Sequence, residues 1–321
     1  MIKSWDNQYL DGVIALWNKE AVEDGYKELT ELSFTDIFLS SPYFDRETAF
    51  VLLESDIVKG FACGCTGDDL PLGDVAGYIT CIVLSSDCQS DDYYKVMLEP
   101  LEKRFQHLGK KQADILFFNP MLLPSYIPDT PKYEHNNAPG VPLNSKLYPF
   151  LLSQGYVDRS RECAMYLNLA DFFFPEDMKE KEEKVATEGY KVELFDSEKH
   201  SGVVEMLAGL NNPLWDTQIP KYIADGVPMV IASDEGRVVG FAGPVIRQDN
   251  GRAFFAGIGV HPSHEGHGLG SILFFKLCEA FQNINTTYMS LFTGRNNPAM
   301  RIYEKAGFQH AREFSVMRRE F

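Results

Sequence analysis

The chain has 321 residues, of which 45% are hydrophobic and 13% aromatic, enough to fill the cores of two domains of ~150 residues. This composition excludes an intrinsically disordered chain. The formal net charge of −16 argues against a nucleic-acid-binding or anionic-membrane-binding surface, because such surfaces are basic.

Cysteine usage and the N-terminal residues indicate the compartment. The six cysteines lie mostly in apolar runs without CxxC spacing, which is typical of reduced core residues. The N-terminal residues contain no signal-peptide core, and no apolar run approaches the ~18 residues of a membrane span. We therefore expect a cytoplasmic protein with no membrane or nucleic-acid partner, whose oligomeric state is unknown at this stage.

The first half of the chain predicts strands and helices in alternation. In order, these are a strand at 2–5, a helix capped by Asp6, a short helix at 34–39, a hairpin turning at Ser55 and Asp56, a strand at 77–84, a helix at 93–108, a strand at 113–119, a helix at 147–154 and a strand at 161–169.

Two segments interrupt this alternation. Residues 120–142 carry six prolines and are too long for an ordinary connection, which indicates a lid-like loop or a segment that contacts another domain. The charged cluster 176–184 is typical of a solvated helix or a linker. We therefore predict an N-terminal domain at 1–172, a linker at 173–187 and a C-terminal domain at 188–321.

The second half predicts the same order of elements. It comprises a strand at 190–195, helices at 203–210 and 218–224, a hairpin of strands 228–233 and 237–246, an apolar strand at 253–260, a helix from Ser271, a strand at 287–293, a helix from Ala299 and a strand at 314–318. This parallel between the halves indicates an internal duplication.

The loop after the 253–260 strand has the composition of an anion-binding site. Pro262 ends the strand, and Gly266, Gly268 and Gly270 lead into the next helix. Amides at a helix N-terminus point at a bound anion, and glycines let the backbone come close. A triphosphate loop would need GxxxxGK followed by Ser or Thr, and a dinucleotide fingerprint would need GxGxxG in a longer parallel sheet. The chain has neither.

Two motifs carry a resemblance to a known family. V-x-P-x-x-E-G-x-G-L-G-x-x-L, residues 260–273, resembles the acyl-CoA pyrophosphate loop of the GNAT superfamily of N-acetyltransferases. N-x-x-A-x-x-x-Y-x-x-x-G-F, residues 296–308, is similar to a later motif of that family. With its duplication, the chain looks like a tandem GNAT protein, the architecture to which mycothiol synthase belongs. The implied fold class is α/β (α+β), with two tandem domains that are each a mixed, mostly antiparallel sheet flanked by helices.

The resemblance implies an acyl-CoA site in the C-terminal domain, with acetyl-CoA as the donor and no metal. Tyr303 is the implied catalytic acid, which would protonate the leaving thiolate. The family usually has Arg or Gln in place of Glu265, so this carboxylate is expected to point outward or to lower the affinity. The implied donor-binding residues are Ile258, Gly259, Val260, Glu265, Gly266, His267, Gly268, Leu269, Gly270, Ser271, Asn296 and Ala299.

Several residues of this region allow other interpretations. His261, His264 and His267 recur at threes but lie in a loop, and HEGH is not the HExxH of zinc peptidases, so we expect no metal site. Gly257 and Gly259 suit a splayed or bulged strand, although ordinary tight packing would also explain them. The strand carries no Asp or Glu as a general base, which leaves a water relay, a residue of the first half, or no dedicated base.

The first half lacks the same chemistry. Its counterpart of the glycine loop, residues 85–92, has no glycine, and Asp87, Asp91 and Asp92 would repel a pyrophosphate. Leu151 matches Tyr303 in position, although Asn144 matches Asn296. We therefore expect the N-terminal domain to be a degenerate, structural or substrate-shaping partner.

The sequence predicts an acetyl-CoA-dependent N-acetyltransferase that acts on a primary amine of a small molecule or peptide, held between the domains. Two alternatives stay open: a non-catalytic acyl-CoA-binding or regulatory protein, and a transferase of a bulkier acyl group.

Overall fold

The computed structural model describes residues 1–70, 72–116, 119–254 and 256–321. The α-helices are α1 Leu10–Leu16, α2 Glu31–Phe34, α3 Asp91–His107, α4 Leu147–Ser153, α5 Glu176–Thr187, α6 Val203–Leu210, α7 Pro213–Ala224, α8 Leu269–Asn283 and α9 Met300–Lys305. Short π-helical turns follow α1 and α2, at Trp17–Ala21 and Thr35–Leu39. Single 3-10 turns lie at Asn7–Tyr9, Ser86–Cys88, Leu169–Asp171 and Pro262–His264.

The strands alternate with these helices largely as the apolar pattern predicts. They are β1 Ile2–Ser4, β2 Phe44–Glu54, β3 Ile57–Cys65, β4 Ala76–Leu84, β5 Gln112–Ile115, β6 Ser125–Tyr126, β7 Glu134–His135, β8 Val141–Pro142, β9 Val157–Asn168, β10 Tyr190–Leu194, β11 Val230–Asp234, β12 Arg237–Gly243, β13 Ile246–Arg247, β14 Arg252–Phe254, β15 Gly257–Val260, β16 Tyr288–Gly294 and β17 Gln309–Glu320. Of the strand predicted at 113–119, residues 117 and 118 lie outside the described residues.

The chain packs as two compact units that are each discontinuous in sequence. Unit 1 comprises Met1–Ala164, Phe292–Arg295 and Ala311–Phe321, and unit 2 comprises Met165–Leu291 and Asn296–His310. The predicted domain boundaries at 172 and 188 divide the chain into continuous segments. They therefore assign the C-terminal strand to the second domain. They stay a prediction, whereas packing places residues 311–321 in unit 1.

Unit 1 contains a mixed, mostly antiparallel sheet. Strands β1 to β4 pair antiparallel in chain order, β5 runs parallel to β4, and the end of β17 pairs antiparallel with β5. The β2–β3 hairpin turns at Ser55 and Asp56, whose φ angles of 50° and 63° suit a tight two-residue turn. This confirms the predicted hairpin.

Apolar side chains fill both faces of this sheet. One cluster includes Trp5, Phe34, Phe38 and Phe61, while the other includes Met97, Leu101 and Phe105 of α3. Each such side chain stabilises the fold by about 1.5–3 kcal/mol when fully buried. The exclusion of water from both faces explains the nearly continuous apolar run of β4.

The proline-rich segment 120–142 belongs to unit 1 and contains short strands. β6 pairs with β7, and β8 pairs with β17 through Phe314 and Ser315. The lid-like and domain-contact interpretations of this segment both stay hypotheses.

Unit 2 contains a four-stranded antiparallel sheet with the order β10-β11-β12-β15. Helix α8 packs on one face, with Ile272, Leu273 and Leu277 buried. A cluster that includes Met206 of α6, Ile219 of α7 and Phe241 of β12 forms a separate core. A second group of strands joins β13 to β14 antiparallel and β14 to β16 parallel.

Three sequence predictions in unit 2 are corrected. The strand expected at 253–260 is two strands, β14 and β15, and Phe255 between them lies outside the described residues. Helix α7 begins at Pro213 rather than 218, because the Asn212 side chain accepts hydrogen bonds from the next amides. Helix α8 begins at Leu269 rather than 271, after a left-handed Gly268.

The charged cluster 176–184 forms part of helix α5, as one of its two interpretations predicts. The linker at 173–187 stays a prediction. Met178 and Val185 of this helix are buried, and α5 packs on β10 and α8. The remaining charged side chains face solvent or pair with neighbouring helices. A sequence reading by charge alone missed this packed face.

The six cysteines are all buried and none forms a disulfide, as their apolar surroundings predict. Within the described ranges, no helix combines the length and apolar character needed to span a bilayer.

Candidate functional site

The candidate site begins where β14 pairs in parallel with β16, directly before β15 in the chain. Arg252 lies opposite Tyr288, and Ala253 lies opposite Met289. The buried Arg252 guanidinium joins these strands, since its Nε donates to Ser290 Oγ at 2.6 Å and its Nη2 donates to the Ser290 carbonyl at 3.1 Å. Beyond this point the chain continues as β15, which pairs with β12. Arg252 thus fixes β14 to β16, whereas the next strand, β15, belongs to a different sheet from β16.

The free edge of β15 presents backbone groups to a ligand. The His261 amide donates to the Val239 carbonyl at 2.8 Å, so alternate residues from Gly259 face β12. By the same alternation, the amides and carbonyls of Ile258 and Val260 point away from β12. In the part of the chain that the structure describes, β15 is the last strand of its sheet. Such an edge can pair with an extended ligand that carries amide groups.

The two glycines of β15 are held by close packing. A Cβ on Gly257 would lie 2.5 Å from the Trp215 ring, and a Cβ on Gly259 would lie 2.6 Å from Leu210. The Trp215 indole also donates to the Ala256 carbonyl at 3.3 Å. Tight packing against α6 and α7 is therefore sufficient to explain both glycines.

The glycine loop ends in an uncapped helix N-terminus. Gly266 and Gly268 have φ angles of 86° and 82°, a left-handed conformation that disfavours other residues. Gly268 is the N-cap of α8, and the first turn of α8 contains no acidic residue. Among the described residues, no acceptor is found for the amides of residues 266–270. These amides and the positive end of the helix dipole can bind an anion.

The polar side chains of the loop have distinct surroundings. Glu265 is exposed to solvent. Its exposure is compatible with a carboxylate that points outward, away from a bound anion. His267 is exposed, and its Nδ1 lies 2.7 Å from a carboxylate oxygen of Glu188, so it is already ion-paired when protonated. Leu269 is buried, whereas Gly270 and Ser271 are half-buried in the first turn.

The three histidines of the loop contact different groups. His261 Nδ1 lies 2.7 Å from Ser263 Oγ, and His264 Nδ1 lies 3.0 Å from the Tyr190 hydroxyl. Across the described ranges, no group of three or more His, Cys, Asp or Glu residues has metal-binding geometry.

Helix α9 carries the later motif. Its N-cap is Ala299, which has no side-chain capping bond, so the Asn cap predicted from the sequence does not lie at the helix end. Asn297 Oδ1 instead accepts the Ala299 amide at 2.9 Å in the turn before the helix, and Asn296 is exposed. Tyr303 is 7% exposed, and its ring centroid lies 4.8 Å from that of Phe274. Burial raises the pKa of Tyr303, which keeps its hydroxyl protonated at neutral pH. Gly307, with a φ of 93°, follows the end of α9.

Sequence reasoning missed Lys181 of α5. Its Nζ lies 2.6 Å from the position that a Cβ on Gly268 would occupy, so the ammonium lies directly over the helix N-cap. Asp177, one turn earlier, forms an ion pair with Lys305 of α9. The sequence signal was present as the i, i+4 spacing of Asp177 and Lys181, but it was hidden in a run of charges.

Comparisons with known proteins bear on the family of one segment and on the fold of the whole chain. Residues 194–308 match the family model described as the acetyltransferase (GNAT) family. A search of curated protein sequences found no match.

Solved structures with the same fold include three that match almost the whole chain. A GCN5-related glucosamine N-acetyltransferase region in a fungal multi-domain GH3 β-N-acetylglucosaminidase is 14% identical with a TM-score of 0.67, covering 99% of this chain and 38% of that one. This chain therefore spans well under half of that protein. A GCN5-related N-acetyltransferase from Sphaerobacter thermophilus is 13% identical with a TM-score of 0.61, and the match covers 100% of this chain and 95% of that one. A tandem GNAT protein from the clavulanic acid biosynthesis pathway is 12% identical with a TM-score of 0.58, and the match covers 100% of this chain and 98% of that one.

At these identities the structural likeness establishes the fold, and the family model identifies the domain within it. The architecture is two tandem domains, each built on a mixed, mostly antiparallel sheet with flanking helices. Residues 194–308 of the chain match the GNAT acetyltransferase family, and along its whole length the chain shares the fold of tandem GNAT proteins.

Proposed function

We propose that the protein is an acetyl-CoA-dependent N-acetyltransferase whose donor site lies in the second unit. The observation that carries this proposal is the continuity of two ligand-binding features. The free edge of β15, at Ile258 and Val260, leads through the glycine loop into the uncapped N-terminus of α8. An extended chain of amides that ends in a pyrophosphate is complementary to both features.

Each part of the donor has a corresponding protein group. The amides of residues 266–270 receive the pyrophosphate oxygens, because they lack other acceptors within the described chain. The β15 edge pairs with the amides of the pantetheine arm. Asn296 and Ala299 begin the segment that presents Tyr303 toward the thioester sulfur.

The reaction is acyl transfer to an amine. The neutral amine nitrogen attacks the thioester carbonyl carbon, a C–N bond forms, the C–S bond breaks, and the amine releases a proton to solvent or a base. Tyr303 donates its hydroxyl proton to the departing thiolate, and this hydroxyl is protonated at neutral pH, as for any tyrosine whose pKa is not lowered. The acceptor is a primary amine of a small molecule or peptide, which the acidic character of the chain suits.

The test is calorimetric titration of acetyl-CoA into the pure protein, followed by turnover with a panel of primary amines. We expect one donor site per chain and thiol release that depends on an amine. Two sites per chain would contradict a single working site in the second unit. Binding without turnover on any amine would favour a non-catalytic acyl-CoA-binding protein, and absence of binding would overturn the proposal.

A further inference from the structure

Helix α5 is fixed so that Lys181 points at the glycine loop. Glu182 forms an ion pair with Lys276 of α8 at 3.1 Å, and Asp177 forms one with Lys305 of α9. The buried side chains of Met178 and Val185 pack the same helix against β10 and α8. With the helix held at both neighbours, the Lys181 side chain lies across Gly268.

The position of the Lys181 ammonium is electrostatically unfavourable without a ligand. Neither an ion pair nor a hydrogen bond to Lys181 is found within the described residues. Burial and the nearby Lys305 ammonium lower the pKa of Lys181 and outweigh the Asp177 carboxylate, which raises it. The positive end of the α8 dipole also repels the ammonium. A bound anion would relieve all three effects.

The other cations of the region are either ion-paired or exposed to solvent. Lys276 pairs with Glu182 and Glu279, and His267 lies against Glu188. Lys184, on the same helix, is exposed and lies one turn from Lys181. Glu265 is an exposed carboxylate and supplies no positive charge to the loop.

We propose that Lys181 binds the pyrophosphate of the acyl donor and makes the site selective for thioesters that carry this group. This inference rests on the proposed function. In the ligand-free protein the Lys181 side chain covers Gly268. When the donor binds, the ammonium moves off the amides of the loop and pairs with the phosphate oxygens from the opposite side. A residue outside the loop motif thus supplies the countercharge.

The experiment separates the phosphates from the rest of the donor. Acetyl-CoA and S-acetylpantetheine, which lacks phosphate, are titrated into the wild-type protein and into the Lys181→Ala and Lys184→Ala variants. We expect Lys181→Ala to weaken acetyl-CoA binding by roughly 10- to 100-fold, the loss typical of a charged hydrogen bond. Its affinity for S-acetylpantetheine should equal that of the wild type. Lys184→Ala should match the wild type for both ligands, and Lys181→Arg should restore most of the acetyl-CoA affinity.

The pH dependence gives an independent readout. Because the free-state pKa of Lys181 is lowered, donor affinity should fall as pH rises toward and through that pKa, below the ordinary lysine value of ~10.4. Lys181→Ala should lack this dependence.

Each outcome tests a different statement. If the wild-type protein fails to bind acetyl-CoA, the proposed function falls. If it binds and Lys181→Ala binds equally well, the function stands and the role of Lys181 is wrong. Tighter binding by Lys181→Ala would show that the lysine obstructs the site, which also overturns the inference. Equal thermal unfolding of the variants excludes misfolding as the cause.

Discussion

The two units differ most sharply at the N-termini of α3 and α8. Both helices follow a strand that runs parallel to a neighbour at its start, β4 in unit 1 and β14–β15 in unit 2. Helix α3 has Asp91 and Asp92 in its first turn, and the preceding Asp87 pairs with Lys59 at 2.5 Å. Helix α8 has Gly268 as its N-cap and no acid in its first turn.

This difference shows two uses of the same helix end. A carboxylate near a helix N-terminus stabilises the helix by about 0.3–1 kcal/mol, and α3 takes this stabilisation from its own residues. Helix α8 lacks this stabilisation, because its first turn has no acidic residue, and its N-terminal amides have no side-chain cap. The contrast extends to the next helix of each unit, where Leu151 is fully buried and Tyr303 carries a hydroxyl. We propose that only the second unit binds and activates an acyl donor.

The largest expected effect comes from removing the hydroxyl that distinguishes Tyr303 from Leu151. Tyr303→Phe keeps the ring packed on Phe274 but removes the proton for the thiolate. Turnover should fall by about 10²–10⁴, the usual contribution of general acid catalysis, while acetyl-CoA affinity is retained. Steady-state kinetics and calorimetry measure the two quantities.

The matched control is Tyr166→Phe, which removes a hydroxyl that contacts Gln309 away from the glycine loop. It should leave turnover unchanged. If Tyr303→Phe retained full turnover with acetyl-CoA, another proton donor would have to replace Tyr303 in the mechanism.

The next effect comes from making the α8 N-terminus resemble that of α3. Gly268→Glu introduces a carboxylate at a φ of 82°, and its Cβ enters the space of the Lys181 side chain. Strain, collision and repulsion together should reduce acetyl-CoA affinity by at least ~100-fold. Calorimetry gives the affinity.

Gly226→Glu is the control for backbone strain and added charge. Gly226 has a φ of 72°, no atom lies within 4 Å of a Cβ placed there, and it follows α7 rather than the glycine loop. Its variant should bind acetyl-CoA as the wild type does. Equal losses in both variants would attribute the effect to misfolding instead of the loop.

The smallest effect comes from the reverse change in unit 1. The Asp91→Asn and Asp92→Asn variants should each lower the free energy of unfolding by about 0.3–1 kcal/mol, because they remove favourable charges from the α3 N-terminus. Denaturant titration measures this loss, and Asp249→Asn, at an exposed turn, should show none. Neither change should create a second acetyl-CoA site, since the loop still lacks glycine. A second site would mean that these acids alone block binding in unit 1.

Several features of the molecule could be predicted from local sequence. The apolar period of α3 and α8 and the Ser55-Asp56 turn depend on neighbours within a few residues. The order of motifs also predicted a GNAT domain, which the family match confirms for residues 194–308. The residues of the donor site remain a prediction, but the structure places the glycine loop and the β15 edge in one unit.

The remaining features depend on contacts between residues far apart in sequence. The division of the 253–260 strand follows from the pairing of Arg252 with β16 on one side and the pairing of β15 with β12 on the other. Lys181 lies at the loop because the buried Met178 and Val185, together with ion pairs to α8 and α9, fix the orientation of its helix. The assignment of residues 311–321 to unit 1 follows from pairing with β5. Local patterns determine where elements form, whereas long-range packing and pairing decide which elements and charges meet.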